Sequence, residues 1–421
     1  MITARGTPRT SSVINTVSKQ KRRIVMKRNT FIGKTIGRLA AAAVSAVMIA
    51  SSLSFGASAQ TFDTKYGTKE IESSSWMGAL PDDIKISDMS IPGAHDASTR
   101  NVIFVMAPFA QTQYFYINDL LEIGVRYFDL RVCCDDIGVL YMCHGDVDCY
   151  NCADYRMTLG DVFAQMRNFL RDNPSETILL QVKCDRYDNN AQNETWNFLK
   201  DMADGGELYY GDHVPTLGEV RGKMYLFSRL NFGETTQKDK FMTFEDGNIF
   251  KFRSWGIDVH NFSGGNTEEK TLDETAYGGV HNCVVNTEDM YDVPKAEKWE
   301  YVYNSLVGPH NAAYYSDAGK DVGLDTFNII YASMSYQDWY EVALRVIHPF
   351  YNLVSNQDYM VWPEDGADYI NPKLRALLEH NPTLYTGCLV CDYIDLTLSQ
   401  DIYMTNFIDP ADCSFGYTGS W

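Results

Sequence analysis

Positive charge is scarce once the first 59 residues are set aside. That segment holds ten of the 36 Lys and Arg residues and no Asp or Glu, which leaves 26 basic against 55 acidic residues in the remainder. So acidic a surface argues against nucleic acid as a partner and against strong attraction to anionic membranes, because both call for a basic face. It leaves room for a small anion in a locally basic pocket. Histidine is scarce too, with eight in 421 residues. No cysteine occurs before residue 133, which argues against a lipid anchor at the end of the N-terminal apolar run. Beyond that run there is no apolar stretch of spanning length, no internal repeat and no low-complexity tract.

The N-terminus reads as a targeting segment. Lys27-Arg28 and Lys34 to Arg38 form a basic region, Leu39 to Ser54 an alanine-rich apolar run, and Ala57-Ser58-Ala59 a small-residue cleavage site before Gln60. Met26 opens a signal of ordinary length. Residues 1–59 are therefore expected to be removed, and the remaining protein to be secreted and to act as a monomer. Residues 60–75 read as a mobile lead-in, and 76–421 as a single catalytic domain. Export makes disulfides possible among the ten cysteines. Two Cys-x-x-Cys pairs, Cys149/Cys152 and Cys388/Cys391, also have the raw spacing of a zinc site, but they lie over two hundred residues apart.

From residue 76 on, strand-like and helix-like segments alternate. Ile84, Ile86, Met89 and Ile91 mark a short strand; 177–185, 223–229, 280–285, 327–332 and 388–394 are further strands. Thr158 with Asp161 forms a capping box before the helical face of Val162, Phe163, Met166, Phe169 and Leu170, and Asn173-Pro174 stops that helix. Other helices are expected near 191–203, 294–306, 336–347 and 372–380. The segment 232–279, rich in Gly, Asn and Thr, reads as long loops or a hairpin excursion, and 307–325 as an insertion. The alternation implies an α/β fold with a parallel sheet. A single distorted TIM-type (β/α) barrel accounts best for the charged residues at the C-terminal strand ends: His95, Arg131, Lys183, Arg229 and Asp392.

Chemistry concentrates in three blocks. Ser90-Ile-Pro-Gly-Ala-His-Asp96 sets a histidine beside a carboxylate after a strand. Met142-Cys-His-Gly145 brings a second histidine after another. Between them, Gly124-Val-Arg-Tyr-Phe-Asp-Leu-Arg131 is strand-like, so Asp129 and Arg131 share a face. An arginine aimed into a barrel mouth needs an anion, which Asp129 can supply structurally and a phosphate functionally. Two imidazoles that titrate near neutrality can share acid and base duties around it.

Together with Phe169-Leu-Arg-Asp-Asn-Pro-Ser-Glu-Thr-Ile-Leu-Leu-Gln-Val-Lys183, these blocks strongly resemble the X-type catalytic domain of bacterial phosphatidylinositol-specific phospholipases C. Residues 221–229, 288–291, 331–333 and 389–392 agree less tightly. The resemblance implies a distorted barrel and a metal-free, two-step cleavage of phosphatidylinositol in membranes, and possible action on glycosyl-phosphatidylinositol anchors. Position by position, it implies that His95 is the general base, oriented by Asp392. His144 is the general acid, oriented by Asp96, and Arg131 stabilises the phosphate. Lys183, Arg229, Asp289 and Tyr291 are similar to the inositol-binding set, with Asp129 in the same polar floor. No metal or other cofactor is implied. Animal-type relatives use calcium, and by that pattern Asp96, Asp129 and Asp185 would form a cation site instead. A metal-dependent phosphodiesterase and an inactive inositol-lipid-binding module are the competing functions for such a chain. Ala94 and Ala97 depart from the family pattern by small residues, and the cysteines around His144 are not part of it. Phe104, Phe109, Tyr114, Phe115 and Tyr116 read either as packing under a long loop or as a rim that meets the membrane interface.

Overall fold

The computed structural model describes residues 59–186, 189–209, 213–228, 230, 250–251, 283–307, 325–337 and 360–409. The strands in chain order are β1 (Gln60–Thr64), β2 (Gly67–Ile71), β3 (Ile91–Ala94), β4 (Tyr127–Cys134), β5 (Leu140–His144), β6 (Val147–Asp148) and β7 (Ile178–Cys184). They continue with β8 (Met224–Ser228), β9 (Phe250–Lys251), β10 (Cys283–Glu288), β11 (Asp325–Tyr331), β12 (Tyr336–Gln337), β13 (Met360–Val361) and β14 (Cys388–Cys391). The main sheet runs β10-β11-β14-β3-β4-β7-β8-β9 with every neighbouring pair parallel. It curls into a distorted TIM-type barrel, the fold class expected from the alternation of strands and helices.

Period-two side-chain geometry divides each strand between two cores. In β7, Ile178, Leu180 and Val182 join the outer cluster under the helices, while Leu179 joins the inner one. In β4, Phe128, Leu130 and Val132 face out and Tyr127 faces in; in β14, Leu389 and Cys391 face out while Cys388 and Val390 face in. Continuing the inward series toward the C-terminal ends gives Asp129 and Arg131 on β4, Gln181 and Lys183 on β7, His95 after β3 and Asp392 after β14. The polar floor of the barrel mouth is thus the continuation of its apolar filling.

Helices at Leu159–Asp172, Asn189–Asp204, Lys295–Val307, Pro363–His380 and Leu396–Met404 accompany the sheet. The capping box of the first forms as expected: Asp161 N–H donates to Thr158 Oγ1 and Thr158 N–H to Asp161 Oδ2, both at 3.0 Å. No helix among the described residues is long and apolar enough to cross a membrane.

Several expectations are corrected. Residues 60–75 are not a loose lead-in: β1 and β2 form an antiparallel hairpin, and a 3₁₀ segment, Ser73–Ala79, follows. Phe62 and Tyr66 pack against the inner core, and Lys65 N–H donates to Phe407 O at 2.9 Å. Trp76 is fully buried, stacks on Tyr403 and donates its indole N–H to Gly124 O. The run from Ile84 to Ile91 is not one strand. A 3₁₀ turn occupies Ile86–Asp88, and β3 begins only at Ile91. The helix expected at 372–380 starts at Pro363 and runs through Pro372, because its buried stripe (Ala367, Ile370, Leu374, Leu377) continues across the proline. Tyr336–Gln337 is a short strand paired with β13 rather than a helix start. The remainder of 336–347, nearly all of 232–279 and of the 307–325 insertion, and residues 1–58 lie outside the described residues.

The Cys388/Cys391 pair cannot chelate one ion. Three residues apart on a strand, the two thiols point to opposite faces, one into each core, and burial pushes both far above the ordinary thiol range. Cys149 is buried, Cys152 exposed, and neither is in a disulfide. The disulfide among the described residues is Cys133–Cys143, which ties β4 to β5.

Candidate active site

Sheet register explains why residues distant in sequence meet. Cys391 pairs with Ala94, so Asp392 stands beside His95; Gly93 pairs with Tyr127, so His95 stands beside Asp129; Arg131 pairs with Lys183. The chain leaves two of these strands sharply. Asp96, with φ 40°, and Tyr393, with φ 47°, are left-handed at the residue after His95 and after Asp392. The turn after His95 is pinned by Ala97 N–H to Asp129 O, and the turn after Asp392 by Tyr393 N–H to Thr112 O. Gln113 donates to the carbonyls of both His95 and Cys391 at 2.9 Å.

His95, Asp96, Arg131, Lys183 and Asp392 line a cleft of about 780 Å³ with Phe109, His144, Asp185, Asp289, Tyr291 and Pro363. Within it His95 Nδ1 is 2.7 Å from Asp392 Oδ1, and Met334 N–H donates to the other carboxylate oxygen at 3.3 Å. His95 Nε2 faces Asp96 Oδ2 at 3.6 Å and Asp129 Oδ2 at 3.9 Å. Burial disfavours the imidazolium, but the carboxylates of Asp96, Asp392 and Asp129 outweigh it and raise the His95 pKa from 6.5 to about 9. His144 Nδ1 donates to Ala110 O at 3.0 Å, which leaves Nε2 toward the cleft, 3.4 Å from Asp96 Oδ2. Asp96 therefore lies between the two imidazoles rather than with His144 alone.

Arg131 is clamped by carboxylates. Its Nε and one terminal nitrogen donate to Asp129 at 2.9 and 2.7 Å, its other terminal nitrogen to Asp185 at 3.3 Å, and Asp96 Oδ1 is 3.0 Å from Nε. Both readings of Asp129 and Arg131 are thus compatible: the carboxylate holds the guanidinium, and the guanidinium lines the cleft where an anion would enter. Asp185 also takes Lys183 Nζ at 3.0 Å and Gly145 N–H at 2.8 Å. Despite burial, Arg131 and Lys183 hold its carboxyl well below the usual carboxylate range.

Asp289 and Tyr291 both reach the cleft. A buried ion pair sets their turn: Lys298 Nζ contacts both Glu288 oxygens at 2.9 and 2.8 Å, and Met290 N–H donates to the same carboxylate. Burial pushes Glu288 up to about 6 even with that lysine beside it. Arg229 lies outside the described residues. Sequence reasoning missed Gln181, which donates to Asp129 Oδ1 at 2.6 Å and accepts from the hydroxyls of Tyr127 and Tyr331 at 2.9 and 2.7 Å. Its signal is a lone amide inside an otherwise apolar strand run.

His95, Asp96 and Asp129 bring three potential metal-ligand atoms within 4.8 Å of one another. The Arg131 guanidinium lies against both carboxylates of that group.

Residues 83–203 match the PI-PLC X 1 family, that is, the PI-PLC X domain. The chain is 30% identical over 165 residues to the 1-phosphatidylinositol phosphodiesterase of Listeria monocytogenes, covering 36% of this chain and 48% of that protein, about half its length. To the 1-phosphatidylinositol phosphodiesterase of Staphylococcus aureus strain Newman it is 23% identical over 332 residues, 76% of this chain and 88% of that protein. The fold matches the solved phosphatidylinositol-specific phospholipase C from Listeria monocytogenes with a TM-score of 0.52 at 20% identity, covering 80% of this chain and 99% of that one. A variant of the Staphylococcus aureus phosphatidylinositol-specific phospholipase C matches with a TM-score of 0.58 at 21% identity, covering 80% and 98%. Residues 83–203 thus carry the PI-PLC X domain match, and the chain resembles the bacterial phosphatidylinositol-specific phospholipases C in sequence and in fold.

Proposed function

We propose that this protein is a metal-independent phosphatidylinositol-specific phospholipase C that uses His95 and His144 as an acid–base pair. The observation that carries the reading is their arrangement. Two imidazoles present Nε2 to one cleft, each fixed at Nδ1 by an oxygen acceptor, with an arginine between their strands. His95 Nε2 takes the proton of the inositol 2-hydroxyl as that oxygen bonds to phosphorus. His144 gives a proton to the glycerol oxygen as its bond to phosphorus breaks, which yields diacylglycerol and inositol 1,2-cyclic phosphate. The attacking hydroxyl belongs to the substrate itself, so the step gains effective molarity. Arg131 neutralises charge on the non-bridging oxygens. In the second step water opens the cyclic phosphate with the two roles exchanged. Lys183, Asp289 and Tyr291 are assigned to the inositol ring, and the same headgroup chemistry extends the reading to glycosyl-phosphatidylinositol anchors.

Metal independence rests on Arg131. A guanidinium wedged among Asp96, Asp129 and Asp185 does by charge what calcium would do by coordination, and it disfavours a second cation there. Membrane contact is assigned to the rim, where Ile103, Phe104 and Val105 are 56, 92 and 67% exposed and Phe109 lines the cleft. With so acidic a protein the surface it meets is zwitterionic. The N-terminal targeting segment adds export to the reading.

His95→Ala and His144→Ala test the pair. Each is expected to lower turnover of phosphatidylinositol vesicles by about 10²-fold or more while circular dichroism and melting stay unchanged. Near-normal turnover by either folded variant overturns the assignment.

A further inference from the structure

His144 sits at the end of β5, immediately before a glycine whose φ of +54° turns the chain into β6. The position of its ring therefore depends on how that turn is held. Two consecutive residues beyond the end of β7 hold it. Asp185 accepts the N–H of Gly145 at 2.8 Å, and Arg186 donates from Nε to the carbonyl of the same glycine at 3.3 Å. The rest of the Arg186 guanidinium spreads over the same hairpin. It donates to the Tyr141 hydroxyl on β5 at 2.8 Å and to Asp148 on β6 at 3.3 Å, with Asp146 at 3.5 Å. On the other side of the hairpin, the Cys133–Cys143 disulfide joins the residue two after Arg131 to the residue before His144. Arg186 touches neither the cleft-lining histidines nor Arg131, and the family-like blocks give it no role.

We propose that Arg186 is a positioning residue for the general acid: with Asp185 it grips Gly145 from both sides and fixes where the His144 imidazole stands. Without the guanidinium, the hairpin keeps its disulfide and its Asp185 contact but can swing about them, and His144 loses its register with the leaving oxygen. This inference rests on His144 acting as the acid in the reaction proposed above.

A general acid matters in proportion to the basicity of the leaving group. Diacylglycerol leaves as an alkoxide and needs the proton; 4-nitrophenolate leaves without it. Arg186→Ala, Arg186→Lys and His144→Ala are therefore compared on phosphatidylinositol and on a 4-nitrophenyl ester of inositol phosphate. Arg186 is one-third exposed, so the variants are expected to fold, and melting curves check this. For Arg186→Ala, kcat on phosphatidylinositol should fall on the order of 10- to 10²-fold with KM little changed, and kcat on the nitrophenyl ester should stay within about twofold of the parent. Arg186→Lys, which keeps one donor, should recover part of the loss. Equal losses on both substrates would mean that Arg186 supports the whole site, and unchanged kcat on phosphatidylinositol that it supports nothing catalytic; either result overturns the inference. If His144→Ala itself shows no dependence on the leaving group, it is the assignment of the acid that fails.

Discussion

Asp392→Asn probes how the barrel builds its base. The substitution keeps size and shape at a buried position and removes one charge, 2.7 Å from His95 Nδ1. A hydrogen bond to a charged group contributes about 1.5–3 kcal/mol, and about 1.4 kcal/mol corresponds to one pKa unit. The His95 pKa, held at about 9 by Asp96, Asp392 and Asp129 against the cost of burial, should therefore fall by about 1–2, to roughly 7–8. The amide also meets a conflict that the carboxylate does not. Met334 N–H points at the second oxygen of Asp392. An amide NH₂ placed there faces another donor, and one turned toward His95 forces the proton onto Nε2, the atom that must be free to act as base. The base thus becomes both weaker and misoriented. Catalysis needs His95 neutral, so on a 4-nitrophenyl ester of inositol phosphate, whose leaving group needs no proton from His144, the kcat/KM of the parent should rise with pH toward about 9, while the variant levels off earlier and lower. The ratio of parent to variant then grows across that interval, reaching about 10²-fold or more at its upper end. Histidine side-chain NMR titration reads the pKa directly, and assays of that ester across pH read the ratio. A His95 midpoint that stays near 9, or a ratio flat with pH, refutes the reasoning.

Linkage gives the same site a stability signature. His95 is raised in the folded state, so its contribution is fully present below 6.5 and is lost as pH climbs through about 9. Denaturant midpoints should decline over that interval in the parent, and His95→Ala should remove this part of the decline. Breaking Cys133–Cys143 by a double alanine substitution should cost about 2–4 kcal/mol in unfolding free energy. A smaller melting shift than about 2 °C would show that the β4–β5 hairpin is held without it. Phe104→Ala, at a side chain 92% exposed, should weaken partitioning onto zwitterionic vesicles by about 10-fold, on the scale of burying one large apolar side chain. Sedimentation with vesicles checks this, and equal binding would remove the rim from the membrane contact.

Much of the fold and site was legible in the sequence because it rests on period-two geometry. Tyr127, Asp129 and Arg131 share a face whatever the strand's neighbours, and the Thr158–Asp161 capping box is a local event. What escaped depends on pairing across the sheet. Asp96 adjoins His95 in sequence, but only the left-handed backbone at Asp96 and the approach of β5 place its carboxylate within reach of both imidazoles. Gln181 looks like a polar intrusion until Tyr127, Asp129 and Tyr331 converge on it from neighbouring strands. The 60–71 hairpin lacks strong apolar alternation and is held by Phe62 and Tyr66 packing on the inner core, which no local pattern shows. The Cys388/Cys391 spacing suggested a shared ligand, and strand geometry sets the two thiols on opposite faces.

In this mechanism Arg131, not a metal ion, meets the phosphate while two histidines move the protons. Phosphorus NMR of products from phosphatidylinositol vesicles, followed in excess EDTA with the chain beginning at Gln60, tests it most directly. Turnover should be undiminished, with a cyclic inositol phosphate as the first product and the acyclic phosphate appearing later. Loss of turnover in EDTA restored by calcium, or an acyclic phosphate formed from the start, would contradict it.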